Sequence, residues 1–109
     1  MPGLEQQHCS PATALLDTGQ VQDYLLQLQD WLVAKDSKSI QRRYSFKNYK
    51  QTLAFVNAAA GIANTEDHHP NICFGYNYCE ILYSTHSVGG LSENDFICAS
   101  HTDMLFTNT

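Results

Sequence analysis

The chain has 109 residues, 43% of them hydrophobic and 11% aromatic, with 6 basic against 11 acidic residues for a net charge of −5. That length suits one domain with a modest core, and that composition is too apolar for a disordered segment. The acidity, relieved only at Arg42, Arg43, Lys47 and Lys50, leaves no phosphate-binding stripe and excludes nucleic acid as a partner; no run of roughly 18 apolar residues offers a membrane span.

Residues 1–16 read as a flexible lead-in, punctuated by Pro2, Gly3, Ser10 and Pro11 and without sustained periodicity. The segment lacks a positively charged start followed by a continuous apolar stretch, which argues against a secretory signal and for a cytoplasmic setting. Cys9 beside His8 would make half of a metal site, but no second half lies near it. Cys9, Cys73, Cys79 and Cys98 form no C-x-x-C pair, so four free thiols are expected.

Residues 17–109 read as a single domain. Val21, Tyr24, Leu25, Leu28 and Leu32 recur at helical spacing behind Asp17 or Thr18 as N-cap, predicting a helix that ends near Asp30. "WLVAKDSKSIQRRYSF" predicts two strands joined by a polar turn at Asp36, Ser37 and Lys38. In the second strand Ile40, Arg42, Tyr44 and Phe46 share a face on which Arg42 is the exception, a placement suited to a sheet edge. "KNYKQTLAFVNAAAGIANTED" predicts a second helix with Leu53, Val56, Ala60 and Ala63 as its stripe, widened by Tyr49, Phe55, Ala59 and Ile62. Its small residues Ala58, Ala59, Ala60 and Gly61 suit close approach to a sheet, which would offset the cost of about 1 kcal/mol that glycine carries there.

"NICFGYNYCEILYST" predicts two short strands turning around "GYN", the second running from Cys79 to Thr85. "HSVGGL" is a loop. "SEND" opens a last helix, with Ser92 as N-cap, Asp95 as the acidic member of a capping box, and Phe96, Ile97, Ala99 and Met104 as its buried side. The order α-β-β-α-β-β-α predicts an α+β fold: a four-stranded antiparallel sheet with three helices packed on one face.

Three of the five histidines fall within residues 68–86. Pro70 forces His69 into extended backbone, and His86 precedes the freely turning Gly89 and Gly90. If the two strands between them pair as a hairpin, His86 returns beside His68 and His69. A structural zinc site needs four ligands and a catalytic one three plus water, whereas adjacent histidines on extended chain point apart and no H-E-x-x-H occurs. Neither a metal nor another cofactor is therefore expected. The histidines are then either surface groups or an acid/base cluster. Two imidazoles flanking one hydroxyl suit an elimination, one taking a proton while the other protonates the departing oxygen, worth roughly 10²–10⁴-fold. No cysteine sits at a helix start beside a base, so no covalent nucleophile stands out.

The blocks "DHHP" at 67–70, "GYN" at 75–77 and "STHSVGGLSENDF" at 84–96, with "FKNYKQTLAFVNAAAGIA" before them, resemble the pterin-4a-carbinolamine dehydratases from about Trp31 to Leu105. The "HC" near the N-terminus is similar to bacterial members. The resemblance implies dehydration of 4a-hydroxytetrahydropterin to quinonoid dihydropterin, a hydro-lyase step that recycles the cofactor of aromatic amino acid hydroxylases. It implies a small-molecule pterin substrate, a functional link to such a hydroxylase, and assembly as a homodimer or homotetramer. It makes His68, His69 and His86 the catalytic histidines, with His68 and His86 as the acid/base pair at the 4a-hydroxyl and His69 helping to hold the pterin.

The same resemblance matches Asp95 to the family's aspartate after the glycine loop, alongside a role as first-turn helix acid. Trp31 matches an aromatic near the pocket, alongside simple core packing. Ser84 and Thr85 would offer backbone groups to the pterin's amide edge. Asn64 departs from members that carry an acidic residue four positions before the first histidine, which puts a third proton-transfer group there in question. Ile72, Cys73 and Phe74 make an unusually apolar strand, suited to pairing with another subunit. Some relatives act instead as dimerisation cofactors or assembly proteins; a purely scaffolding member has no chemical need for the three histidines that this chain keeps.

Overall fold

Buried and exposed residues alternate along β2 (Ile40–Ser45) and β4 (Tyr78–Tyr83), the two-residue period of strands with one covered face. The computed structural model, which describes residues 3–107, pairs these strands antiparallel with Ile40 opposite Tyr83, Arg42 opposite Ile81 and Tyr44 opposite Cys79. Those six side chains therefore share the covered face. The short β1 (Leu32–Val33) adds to one side of β2, and β3 (Asn71–Phe74) adds to the far side of β4, giving the order β1-β2-β4-β3 with every pairing antiparallel. β1 reaches only Ile40 and Gln41, so β2 is an open edge from Arg42 onward, as its inward arginine requires.

Three helices complete the expected order: α1 (Thr18–Leu25), α2 (Tyr49–Glu66) and α3 (Glu93–Thr107). Asp17 caps α1 in a full capping box with Gln20. The helix stops well short of Asp30. Gln27 and Leu28 bond back to Tyr24 and Leu25 in tightened turns, and Asp30 takes a left-handed conformation that delivers Trp31 to the core.

Asn48 caps α2 through the Gln51 N–H at 2.9 Å. The buried face of α2 is Thr52, Phe55, Ala59 and Ala63, displaced from the stripe that hydrophobicity predicts: Leu53 is 38% exposed and Ala60 is exposed. Thr52 can be buried because its hydroxyl lies 2.9 Å from the carbonyls of both Asn48 and Tyr76. Gly61 is exposed, and a Cβ there would meet nothing within 4 Å, so it marks no close approach.

α3 is the hub. Residues 94–100 and Thr102 are all buried, between the sheet, α2 and the N-terminal turn at Leu4–Gln6; Met104, expected on the buried side, is 46% exposed. The expected lead-in lies along this hub rather than clear of it. Leu4 is buried in the core, and the Leu16 N–H donates to the Leu91 carbonyl at 2.9 Å. Aromatic rings fill the centre, with Tyr44 4.6 Å from Phe55 and 5.1 Å from Phe106 between ring centroids.

Candidate active site

A hydrogen bond joins the turn that follows α2 to the first turn of α3. Asp67 terminates α2 in the left-handed conformation at φ 51°, and the His68 N–H closes on the Ala63 carbonyl at 3.2 Å. This turn carries the His68 ring to Asp95 in the first turn of α3, with Nε2 2.6 Å from Oδ1. Asp95 is fully buried. Its Oδ2 accepts from the Thr85 hydroxyl at 2.8 Å and from the Ser92 N–H at 2.9 Å. A buried carboxylate is tolerable only with such donors, and here three converge on it. With Asp95 as acceptor, His68 donates through Nε2–H, leaving Nδ1 as the ring's free nitrogen; this tautomer is assigned from the bonding pattern. The chain of bonds continues: the Ser92 hydroxyl donates to Thr85 Oγ1 at 2.7 Å and accepts from the Asn94 N–H at 3.2 Å.

Tyr83, at the end of β4, stacks against His68 with centroids 5.9 Å apart and planes inclined by 11°. Its hydroxyl is held by Thr102 at 2.9 Å, and burial pushes its ionisation upward, so the wall it offers is a neutral ring.

His86 opens a short 3-10 turn, His86–Val88, closed by Gly89 at φ 72°, a conformation that glycine adopts without strain. The Thr85 N–H to Gly90 carbonyl bond at 2.8 Å pins the loop's base. His86 is exposed and lines a cleft of about 470 Å³ with Ser84, Thr85 and Gly90, together with Asp36 and Lys38 from the β1–β2 turn. His69 is exposed too, and because Asn71 pairs with Leu82 it stands at the same end of the sheet as Ser84.

The three histidines lie at the same end of the β3–β4 pair, but His68 turns inward to Asp95 while His69 and His86 are exposed, and of the three only His86 lines the cleft. Among the described residues, no group of three or more His, Cys, Asp or Glu side chains could hold a metal ion. Trp31 lies apart from them. It is 5% exposed, its indole N–H donates to both Asp103 oxygens at 3.0 Å, and it meets the site only through Tyr83, 6.0 Å away between centroids. Sequence reasoning identified Ser92 as a cap but not its hydroxyl bond to Thr85, and it gave Tyr83 no role. The alternation along β4 marks Tyr83 as inward, but nothing local signals that His68 will stack on it.

Residues 14–105 match the family model described as Pterin 4 alpha carbinolamine dehydratase. A relative from Nitrosospira multiformis, provisionally named a pterin-4-alpha-carbinolamine dehydratase, is 50% identical over 98 residues, covering 90% of this chain and 85% of its own. One with the same provisional name from Legionella pneumophila (strain Corby) is 45% identical over 109 residues, covering 96% of each chain. Among solved structures, a transcriptional coactivator/pterin dehydratase from Brucella melitensis matches with a TM-score of 0.80 at 28% identity, covering 83% of this chain and 96% of that one. A pterin dehydratase-like protein identified as a RuBisCO assembly factor in the alpha-carboxysome matches with a TM-score of 0.61 at 29% identity, covering 71% and 89%.

Proposed function

The chain belongs to the pterin 4 alpha carbinolamine dehydratase family, and on that premise we propose that it is a hydro-lyase converting 4a-hydroxytetrahydropterin to quinonoid dihydropterin and water. The observation that carries this reading for the chain's own residues is the buried His68–Asp95 bond, braced by Thr85 and Ser92.

In the elimination the C–O bond at position 4a breaks, the adjacent ring nitrogen loses its proton, and a C=N bond forms. One imidazole protonates the leaving hydroxyl and another takes the nitrogen's proton, and His68 and His86 fill these two roles. Asp95 holds the His68 tautomer so that Nδ1 is the nitrogen that exchanges protons; it is a positioning residue, reached by substrate only through His68. His69, exposed beside His68, helps to hold the pterin. The cleft of about 470 Å³ falls in the range of small-molecule sites. The backbone N–H and carbonyl of Thr85 are already engaged with Gly90, so recognition of the pterin's amide edge falls to Ser84. Trp31 supports Tyr83 from within the core and does not touch substrate. No resident cofactor is required by this chemistry.

The setting we propose is cytoplasmic tetrahydropterin recycling beside an aromatic amino acid hydroxylase, with the exposed strand β3 pairing copies into a dimer or tetramer. The test generates 4a-hydroxytetrahydropterin with a hydroxylase and follows its loss by ultraviolet absorbance. Wild type accelerates the loss, and His68→Ala and His86→Ala each lower the rate by roughly 10²–10⁴-fold. A wild type that leaves the spontaneous rate unchanged overturns the enzymatic reading.

A second reading, a dimerisation cofactor or assembly protein, is favoured by the exposed rings Tyr49, Phe74 and Tyr76, which lie 6.3–6.4 Å apart around Tyr49 beside the open edge of the sheet. It predicts that the histidine variants retain partner binding while rings replaced by alanine lose it.

A further inference from the structure

Away from the histidines, the N-terminal segment brings Cys9 Sγ to 3.3 Å from Cys98 Sγ, across 89 positions of sequence. We propose that these two thiols are a redox pair that closes under mild peroxide into an intramolecular disulfide, locking the N-terminal segment across the ends of α2 and α3.

The backbone on either side of Cys9 is already anchored. The Gln7 carbonyl accepts from His101 Nε2 at 2.9 Å, and the Cys9 N–H donates to Glu66 Oε1 at 2.7 Å. His8 Nδ1 bonds the other Glu66 oxygen at 2.8 Å. Ser10 exchanges two bonds with the Asn94 side chain, at 3.0 and 2.8 Å. Bonding on this scale holds the sulfurs together before any reaction, so little chain entropy is lost on closure. A disulfide needs about 2.05 Å between sulfurs, so the pair must close by little more than 1 Å, within reach of side-chain rotation.

The two thiols have unequal access. Cys98 is fully buried, and its bond to Cys9 and its burial both push its ionisation upward. Cys9 is only partly buried and is the sulfur an oxidant meets first. Its thiolate attacks the peroxide O–O bond, giving the sulfenic acid and, with a proton, one water. Cys98 sulfur then attacks Cys9 sulfur; hydroxide leaves and takes the Cys98 proton as a second water. Two thiols lose two electrons, which the peroxide gains. The other cysteines lack this option. Cys73 and Cys79 lie on neighbouring strands, but Cys73 is opposite Glu80 and Phe74 opposite Cys79, so their side chains project to opposite faces.

The test exposes the full-length, reduced protein to hydrogen peroxide, quenches with an alkylating agent, and maps peptides without reduction. Wild type and Cys73→Ser yield a Cys9–Cys98 linked peptide, an intact mass lower by two hydrogens, and a thermal midpoint roughly 10 °C above the reduced form. Cys9→Ser, at the partly exposed position, abolishes all three while its reduced form unfolds near the wild-type midpoint. Dithiothreitol reverses the mass and midpoint shifts. If Cys9 and Cys98 remain separately alkylatable, or Cys9 advances to sulfinic acid without a link, the pair is not a disulfide switch. Neither His68 nor His86 takes part, so the outcome is independent of dehydratase activity.

Discussion

Asp95 serves two structures at once. One oxygen closes the capping box with the Ser92 N–H, the bond that any helix start would use, and the other receives His68. Sequence spacing foretold the first bond because the partners are three residues apart. The second spans 27 positions and depends on the turn at Asp67. Asp95→Asn keeps the shape but offers one carbonyl and one donor where three donors converge, so either Ser92 and Thr85 or His68 loses its acceptor. The expected result is a turnover rate lowered roughly 100-fold or more, with KM changed little and the pH–rate profile displaced, since a positioning residue acts on the His68 tautomer rather than on substrate affinity. A variant that changes KM alone would remove Asp95 from this role.

At the scale of elements, the ends of α2 and α3 are fastened from outside by the N-terminal segment, and Glu66 is the fastening on α2. Its partial burial works against ionisation, but the His8 bond and the Cys9 N–H outweigh it and hold the carboxyl below its ordinary range. The sign follows: Glu66 contributes stability above the ordinary carboxyl value of 4.5, and loses it as pH falls through the lower folded-state value. Urea unfolding should therefore lose stability as pH falls below the ordinary carboxyl value of 4.5, and Glu66→Gln should flatten that loss. An unchanged acid slope in the variant would exclude the contribution. The strands and caps were legible in sequence because they rest on two-residue alternation and on side chains three positions from their partners. The α2 face was not, because Thr52 is buried by virtue of Tyr76, 24 residues away, while Ala58, Ala60 and Gly61 face solvent. Residues 3–16 also misled: their anchors, Glu66, Leu91, Asn94 and His101, lie far along the chain, while residues 1 and 2 lie outside the described residues.

Across the whole molecule, one aromatic core joins both strand and helix layers. Phe55 on α2 touches Tyr44 and Phe46 of the sheet region and Phe106 of α3. Phe55→Ala should cost about 3–5 kcal/mol and lower one cooperative transition, with Trp31 fluorescence and backbone circular dichroism changing together. Two separated transitions would show that the layers unfold independently. The fold class was legible at this scale because seven elements in that order admit few packings. Trp31 was less so: a lone tryptophan suits either a pocket or a core, and only the Asp103 acceptor settles its indole N–H inside.

The central place of α3 also dictates when the molecule can become itself. Glu93–Thr107 is translated after every strand and after both other helices, yet it supplies the surface on which they and the N-terminal segment close. Until it emerges, Tyr44 of β2 lacks Phe106, Tyr83 of β4 lacks Thr102, Trp31 lacks Asp103 and Phe55 of α2 lacks Phe106. The core can therefore close only once α3 is in place, so the chain folds late and all together rather than piece by piece.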